Sequence, residues 1–274
     1  QEPPRQIYEP PVDRPYARYS RVQRMGNLVD PFPGIYRRTL ADLDRNHVRA
    51  ARLILVNSAY SRESLYRVYG VFARVCYLGV DTDRFRPLAL SKADFVLSVG
   101  ALVSRKGFDF LIHSLAELAS THRPPLVIIS NYTDPLELAY LCGLADRLHV
   151  AVDFRSQVSD NELVQAYNQA RLTLYAPLME PFGFVPLESM ACGTPVVGVR
   201  EAGVRESVVH GVTGLLVERE PAELARAVEA LLTDPHRVAD MGRRGRACVQ
   251  AHWTWERTLA RLEGALTEAA GRSR

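Results

Sequence analysis

The sequence predicts an α/β protein built on a doubly wound, Rossmann-like parallel sheet. Two observations predict it. From about Ser91 onward, short β-branched apolar runs alternate with segments of helical periodicity, which calls for a parallel sheet covered on both faces. The crossovers between such strands are right-handed, which winds helices onto both faces. A strand-like run, Arg171–Ala176, is followed by a loop with Glu180 and Gly183 and a helix-like segment, Leu187–Cys192, with Glu188. In open α/β sheets ligands bind beyond the carboxyl ends of strands, where such loops lie.

Residues 1–35 are rich in Pro, Arg and Tyr, with five prolines in the first fifteen positions, and read as extended or loop-like. Arg14, Arg18, Arg21 and Arg24, with Tyr16 and Tyr19 among them, read either as a basic-aromatic surface for an anionic lipid or phosphate or as a solvated arginine-rich helix face. The usual behaviour of charge runs favours the second. Tyr36–Ala51 has helical spacing, with Leu40, Leu43, His47 and Ala50 on one stripe. Leu53–Val56 reads as a buried strand, Asn57–Ser58 as a cap for a helix over Ser61–Tyr69, and Arg74–Leu78 as a second strand. Gly79–Pro87 has turn and linker chemistry.

In the second unit Phe95–Val99 is a strand ending at Gly100, and Gly107–Ser120 a helix with Phe108, Leu111, Ile112 and Leu115 at helical spacing. Strand Leu126–Ile129, helix Pro135–Asp146 and strand Leu148–Phe154 follow, and Ser159 with Glu162 forms a capping-box pattern at the next helix start. Strand 171–176, a helix near 184–192 and strand Pro195–Val199 come next. A Gly211–Gly214 turn leads into Leu215–Val217, and helices fill 221–232, 235–250 and 254–270.

Composition narrows the function. The 274 residues suffice for one large domain or two small ones, and 47% hydrophobic with 24% charged residues is ordinary for a globular protein. A net charge of +3 does not point to nucleic acid. Cys76, Cys142, Cys192 and Cys248 are widely spaced without a C-x-x-C, which suggests reduced thiols in a cytoplasmic setting rather than disulfides or zinc. Cys192 lies in an apolar segment and reads as a small core residue. There is no run of about 18 apolar residues to span a membrane. The chain starts at Gln1 without a signal-peptide pattern and reads as a processed or truncated piece of a longer polypeptide, or as a chain whose earlier residues are not numbered. The seven histidines have no metal-binding spacing, so neither a metal nor another cofactor is expected. No G-x-S-x-G elbow, P-loop or G-x-G-x-x-G is present, which argues against a serine hydrolase, a P-loop enzyme and an NAD enzyme.

Glu180 and Glu188 stand eight positions apart around Pro181–Leu187. Backbone N–H groups at a helix start attract phosphate, and two carboxylates beside them could accept hydroxyl groups. A sugar nucleotide carries both kinds of group. The alternative is that the two glutamates stabilise the helix dipole, by a few tenths of a kcal/mol each.

Read together, Asn57-Ser58, Gly79-Val80-Asp81 with Phe85-Arg86-Pro87, Val99-Gly100 with Lys106-Gly107, Val158-Ser159-Asp160 with Glu162-Leu163, Glu180-Pro181-Phe182-Gly183 through Glu188, Cys192–Val197, Gly203, Glu206 and Gly211–Val217 form an ordered set. Over about residues 50 to 250 the chain resembles, in motif order and spacing, the carboxyl-terminal half of family-four retaining glycosyltransferases. Their GT-B fold faces two Rossmann-like domains across a cleft. The resemblance implies a remnant of the amino-terminal, acceptor-side domain over 1–80, a linker over 81–90, a nucleotide-sugar-binding domain over 91–250, and a last helix, 251–274, returning toward the amino-terminal domain.

It also implies roles. Lys106, aided by Arg105, pairs with the donor pyrophosphate near Gly100, Glu188 accepts the ribose diol, and Glu180 faces the transferred sugar. Backbone around Phe182, Gly183, Phe184 and Val185 meets sugar and phosphate, and Gln157 and Val158 pass the nucleobase. On residue type alone, Lys106 and Arg105 would read as surface charges. Three departures stand out. Ala101 occupies the place of the family's second pyrophosphate arginine, Arg155 lies in its Phe-x-Gly turn, and Gln1 falls at a histidine facing the donor sugar. The implied activity is retaining transfer of a hexose from a UDP- or GDP-sugar to a glycan or lipid-linked acceptor, in polysaccharide biosynthesis, with no cofactor and with peripheral contact at the inner membrane face. A GT-B nucleotide-sugar epimerase and a truncated, non-catalytic nucleotide-sugar-binding module remain alternatives.

Overall fold

A computed structural model describes residues 3–4, 8, 12–16 and 32–271. It divides the chain into two compact units, Gln1–Tyr77 with Leu262–Arg274, and Leu78–Arg261.

The first unit contains α1 (Phe32–Ala50), β1 (Leu55–Val56), α2 (Ala59–Tyr69) and β2 (Arg74–Val75). The strands pair in parallel, Leu55 with Arg74 and Val56 with Val75. Ser58 caps α2 as expected, its hydroxyl accepting from the Ser61 N–H at 2.9 Å. Val56, Leu65, Tyr69 and Ala73 form the core here, with Val48 packed against it. Helix α1 begins at Phe32 rather than Tyr36. Pro33 in the first turn explains this, since no helical N–H is needed there.

The expected α1 stripe is not the packed face: Leu43 is 49% exposed, and His47 and Ala50 are exposed as well. Asp44 accepts hydrogen bonds from the Tyr8 and Tyr69 hydroxyls, a polar pairing that hydrophobic periodicity does not register. Burial and this carboxylate raise the Tyr69 hydroxyl well above its ordinary range. Arg14 is buried, at 8% exposed, in a non-helical stretch, which contradicts a solvated helix face at that position. Arg18, Arg21, Arg24, Tyr19 and Gln1 lie outside the described residues.

The second unit carries β3 (Val96–Val99), a 3-10 turn (Ser104–Lys106), α3 (Phe108–Ala116), β4 (Leu126–Ser130), α4 (Pro135–Leu148), β5 (Val152–Ser156), α5 (Asp160–Gln169), β6 (Leu172–Tyr175), α6 (Phe184–Ala191), β7 (Val196–Val199), α7 (Val204–Ser207), β8 (Gly214–Val217), α8 (Pro221–Leu232) and α9 (Pro235–His252). The last helix, α10 (Trp255–Gly271), is divided between the units at Leu262. The six strands form one parallel sheet in the order β5-β4-β3-β6-β7-β8. Strands β4, β6 and β7 are buried at every residue, as covering on both faces requires. This is the expected doubly wound architecture.

Differences from expectation have local causes. Helix α3 stops at Ala116, where the Arg123 guanidinium takes the carbonyls of Ala116 and Leu118 together with those of Leu148 and His149. One arginine thereby satisfies the ends of both α3 and α4. Helix α4 runs to Leu148, and left-handed His149 (φ 52°) ends it, so β5 starts at Val152 rather than Leu148. The 3-10 turn and α7 are too short to show a period.

The linker-like segment is packed into this unit. Val80 donates to the Trp253 carbonyl at 2.8 Å, buried Phe85 meets Tyr167 edge-on at 6.0 Å, and Arg246 binds the carbonyls of Thr82, Phe85 and Ala191. Among the described residues no helix is long and apolar enough to cross a membrane.

Candidate functional site

The strand order reverses between β3 and β6: the chain leaves β3 toward β4 on one side and β6 toward β7 on the other. Helix α3 packs against α4 and α8, whereas α6 packs against α5 and α9. The connections leaving β3 and β6 therefore diverge, which opens a crevice at the carboxyl ends of the two strands. Gly100 and Lys106 follow β3, and Glu180 and Gly183 follow β6.

Lys106 closes the 3-10 turn, and left-handed Gly107 (φ 68°) redirects the chain into α3. The lysine stem runs past Gly100, where an added Cβ would lie 3.5 Å from Lys106 Cδ. Its ammonium meets Glu180 Oε2 at 2.8 Å, and the two side chains are 26% and 25% exposed. Arg105 lies in the same turn and its carbonyl accepts from the Leu178 N–H at 2.8 Å, which ties the Glu180 loop to the lysine turn.

Glycine is required at Gly183, the residue before α6. Its φ is 80°, and a Cβ there would fall 2.1 Å from the Tyr175 hydroxyl. Beside it Phe182 is buried and packs on Phe184 (5.3 Å) and Trp253 (5.8 Å), while Phe184 is 38% exposed and Val185 half-buried.

Glu188 lies in the second turn of α6, where the fully buried Tyr167 of α5 donates to its Oε2 at 2.8 Å. Burial raises the Glu188 carboxyl above its ordinary value, the Tyr167 bond pulls it back down, and Asp160 adds a further upward push. Burial first, then Glu188, raises the Tyr167 hydroxyl. Burial also pushes the neighbouring Cys192 thiol up to about 12, in keeping with a core position.

Gln157 and Val158 follow β5, which β4 separates from β3. Gln157 takes a left-handed backbone (φ 55°) just before the Ser159–Glu162 capping box. The structure thus joins Lys106, Gly100 and Glu180 directly. Glu188 lies on the helix that follows them, and Gln157 and Val158 stand at the end of the sheet's edge strand.

Tyr167 was not anticipated from sequence; a tyrosine inside a helical period reads as core. Arg219 was also missed. It chelates Glu201 and binds the carbonyls of Ala176 and Pro177. Among the described residues no group of three or more His, Cys, Asp or Glu is arranged to hold a metal ion.

The model of the family described as "Glycosyl transferases group 1" matches residues 80–247. A GDP-mannose-dependent alpha-(1-6)-phosphatidylinositol monomannoside mannosyltransferase of Mycobacterium tuberculosis is 35% identical over 75% of this chain and 59% of its own length. A D-inositol 3-phosphate glycosyltransferase of Acidothermus cellulolyticus is 34% identical over 89% of this chain and 58% of its own length. The chain thus spans less than two thirds of these relatives. In three dimensions it is similar to a sucrose-phosphate synthase of Thermosynechococcus elongatus, with TM-score 0.78 and 26% identity over 86% of this chain and 63% of that one. It is also similar in fold to HepE of Anabaena, solved with UDP-glucose, with TM-score 0.76 and 23% identity over 86% of this chain and 69% of that one. The chain belongs to the glycosyl transferases group 1 family.

Proposed function

We propose that this chain binds a nucleotide-diphosphate sugar and takes part in retaining transfer of its hexose to a glycan or lipid-linked hydroxyl, on the cytoplasmic side and peripheral to the membrane. The observation that carries this reading is the Lys106–Glu180 contact of 2.8 Å at the strand-order reversal. A cation and a carboxylate are held there between two helix starts. Lys106, with Arg105 beside it, meets the diphosphate and stabilises it as it departs. Glu180 accepts hydroxyls of the transferred sugar, and Glu188 accepts the ribose diol. Backbone at Gly183 and Phe184 faces the sugar and phosphate. A donor phosphate oxygen takes the acceptor proton on the face the leaving group vacates, so configuration is retained. No metal enters this scheme, because lysine and helix-start N–H groups supply the positive charge. The relative whose name specifies GDP-mannose supports a nucleotide-sugar donor and puts GDP beside UDP as first candidates.

The test is thermal unfolding with UDP, GDP, ADP and their sugars. A ligand at a hundred times its Kd adds about 2.7 kcal/mol, or roughly 5–10 °C for a domain of this size. At least one diphosphate is expected to do so, and Glu188→Ala to abolish the shift. No shift with any nucleotide overturns the reading.

The Tyr167 hydrogen bond gives a pH prediction. It opposes the burial that raises Glu188, so Tyr167→Phe raises that carboxyl further. Protonation removes the acceptor, so nucleotide affinity falls as pH drops through the folded-state value. As pH is lowered from neutral, the variant is expected to lose affinity at a higher pH than wild type, measured by calorimetry. Superimposable pH profiles would remove Tyr167 from the site. The linked stability runs the other way. An unfolded glutamate ionises at lower pH, so folding loses stability as pH rises from the unfolded to the folded value.

A further inference from the structure

We propose that Arg219 is a positioning residue that sets the Lys106–Glu180 geometry and thereby the grip on the donor's diphosphate and sugar; this rests on the function proposed above. Arg219 follows β8 and touches no part of the pair itself. Its Nε and Nη2 bind the two oxygens of Glu201, each at 2.7 Å. Nη1 reaches the Ala176 carbonyl and Nη2 that of Pro177, both at 3.1 Å. The guanidinium also lies over the Phe110 ring, 5.2 Å from its centroid, in the first turn of α3. It therefore contacts both the chain that leads to Glu180 and the helix that starts beside Lys106.

The loop from Ala176 to Glu180 is fixed at nearly every step. After the two carbonyls held by Arg219, the Leu178 N–H goes to Arg105 O at 2.8 Å, and the Glu180 carbonyl accepts from the Gly203 N–H at 3.0 Å. Between them Met179 has a left-handed backbone (φ 52°), as does Ala202 beside Glu201 (φ 49°). A non-glycine residue keeps such a conformation only where its surroundings over-determine it. Arg219 supplies that constraint from both sides, since it binds the carbonyls before Met179 and the carboxylate beside Ala202. A planar fork can do this and an ammonium cannot. The side chains of Arg219 and Glu201 are 23% and 29% exposed, so solvent weakens the pair only partly.

The test separates diphosphate grip from nucleoside binding. Calorimetry would compare UDP with UMP, and GDP with GMP, on the wild type, Arg219→Met and Arg219→Lys. Glu188, assigned to the ribose in the proposed function, is oriented by Tyr167 of α5 and not by the carbonyls that Arg219 holds. Monophosphate affinity is therefore expected to hold within about threefold, while the extra affinity for the diphosphate drops at least tenfold in both variants. Glu201→Gln, milder for folding, is expected to shift the same ratio in the same direction. A wild type that prefers the diphosphate, with variants that keep the full preference or weaken all four nucleotides equally, overturns the positioning role. A wild type that binds none of the four overturns the donor-site reading itself, and this inference with it.

Discussion

Lys106→Ala is expected to lower glycosyl transfer by about a thousandfold while moving the melting temperature by only a few degrees. A thousandfold loss corresponds to about 4 kcal/mol of transition-state stabilisation, the scale on which a single preorganised electrostatic group acts. The stability term is smaller. The Lys106–Glu180 pair is about one quarter exposed on each side, and ion pairs open to water contribute about 0–1 kcal/mol. At roughly 2–4 °C per kcal/mol, the melting point therefore moves little. The ground state works in the same direction. Lysine held by a carboxylate has part of its charge already balanced, and a diphosphate must compete with Glu180 for it. In the proposed reaction, as negative charge accumulates on the leaving group, that competition shifts toward the phosphate, which makes the interaction stronger in the transition state than before it. Lys106→Arg is expected to recover only a part of the rate, because a forked guanidinium beside Gly100 cannot reproduce a point charge at the same place. The measurement is kcat for donor turnover alongside the unfolding midpoint. Wild-type turnover in Lys106→Ala would end the assignment, and a loss of rate matched by collapse of the midpoint would make the residue structural.

Much of this site was legible in the sequence, and the part that was not has a physical cause. Periodicity and turn chemistry place strands and helices, and through them the ends of β3 and β6 from which Lys106 and Glu180 project. The Ser159–Glu162 capping box is local, so spacing alone reveals it. The partners that orient the site are not local. Tyr167 reaches Glu188 across 21 positions, and Arg219 reaches Ala176 across 43. Pattern arguments see a tyrosine in an apolar helix face and an arginine after a strand, both ordinary. The expected packed stripe of helix α1 failed for a related reason, although the helix itself is present. Asp44 breaks the apolar stripe in sequence, yet two tyrosine hydroxyls satisfy its carboxylate, and a satisfied carboxylate can face a core. The linker chemistry of Gly79–Pro87 was real as turn chemistry, but the backbone carbonyls of Thr82 and Phe85 find their donors on Arg246, more than 160 positions away.

Gly107→Ala is expected to be among the most damaging single substitutions in the second unit, at about 4 kcal/mol, near the top of the range for one residue. Two effects add. Left-handed backbone (φ 68°) costs a non-glycine residue about 1–2 kcal/mol. The new Cβ would also lie 2.1 Å from the Ala176 carbonyl oxygen, inside any real contact distance. That oxygen belongs to backbone that Arg219 and the Leu178–Arg105 bond hold in place, so the overlap cannot be relieved by rotating a side chain. The loop must move, and Glu180 moves with it. Gly211→Ala in the same unit isolates the two effects. Gly211 is also left-handed (φ 79°), but nothing lies within 4 Å of its Cβ position. That variant should lose only the conformational part, about 1–2 kcal/mol, and keep nucleotide binding. Denaturant unfolding of the pair measures the difference directly, and nucleotide titration shows whether the overlap reaches the site. If both alanines cost the same, the β6 loop is not pressed against the lysine turn, and the tight coupling between Lys106 and Glu180 fails with it.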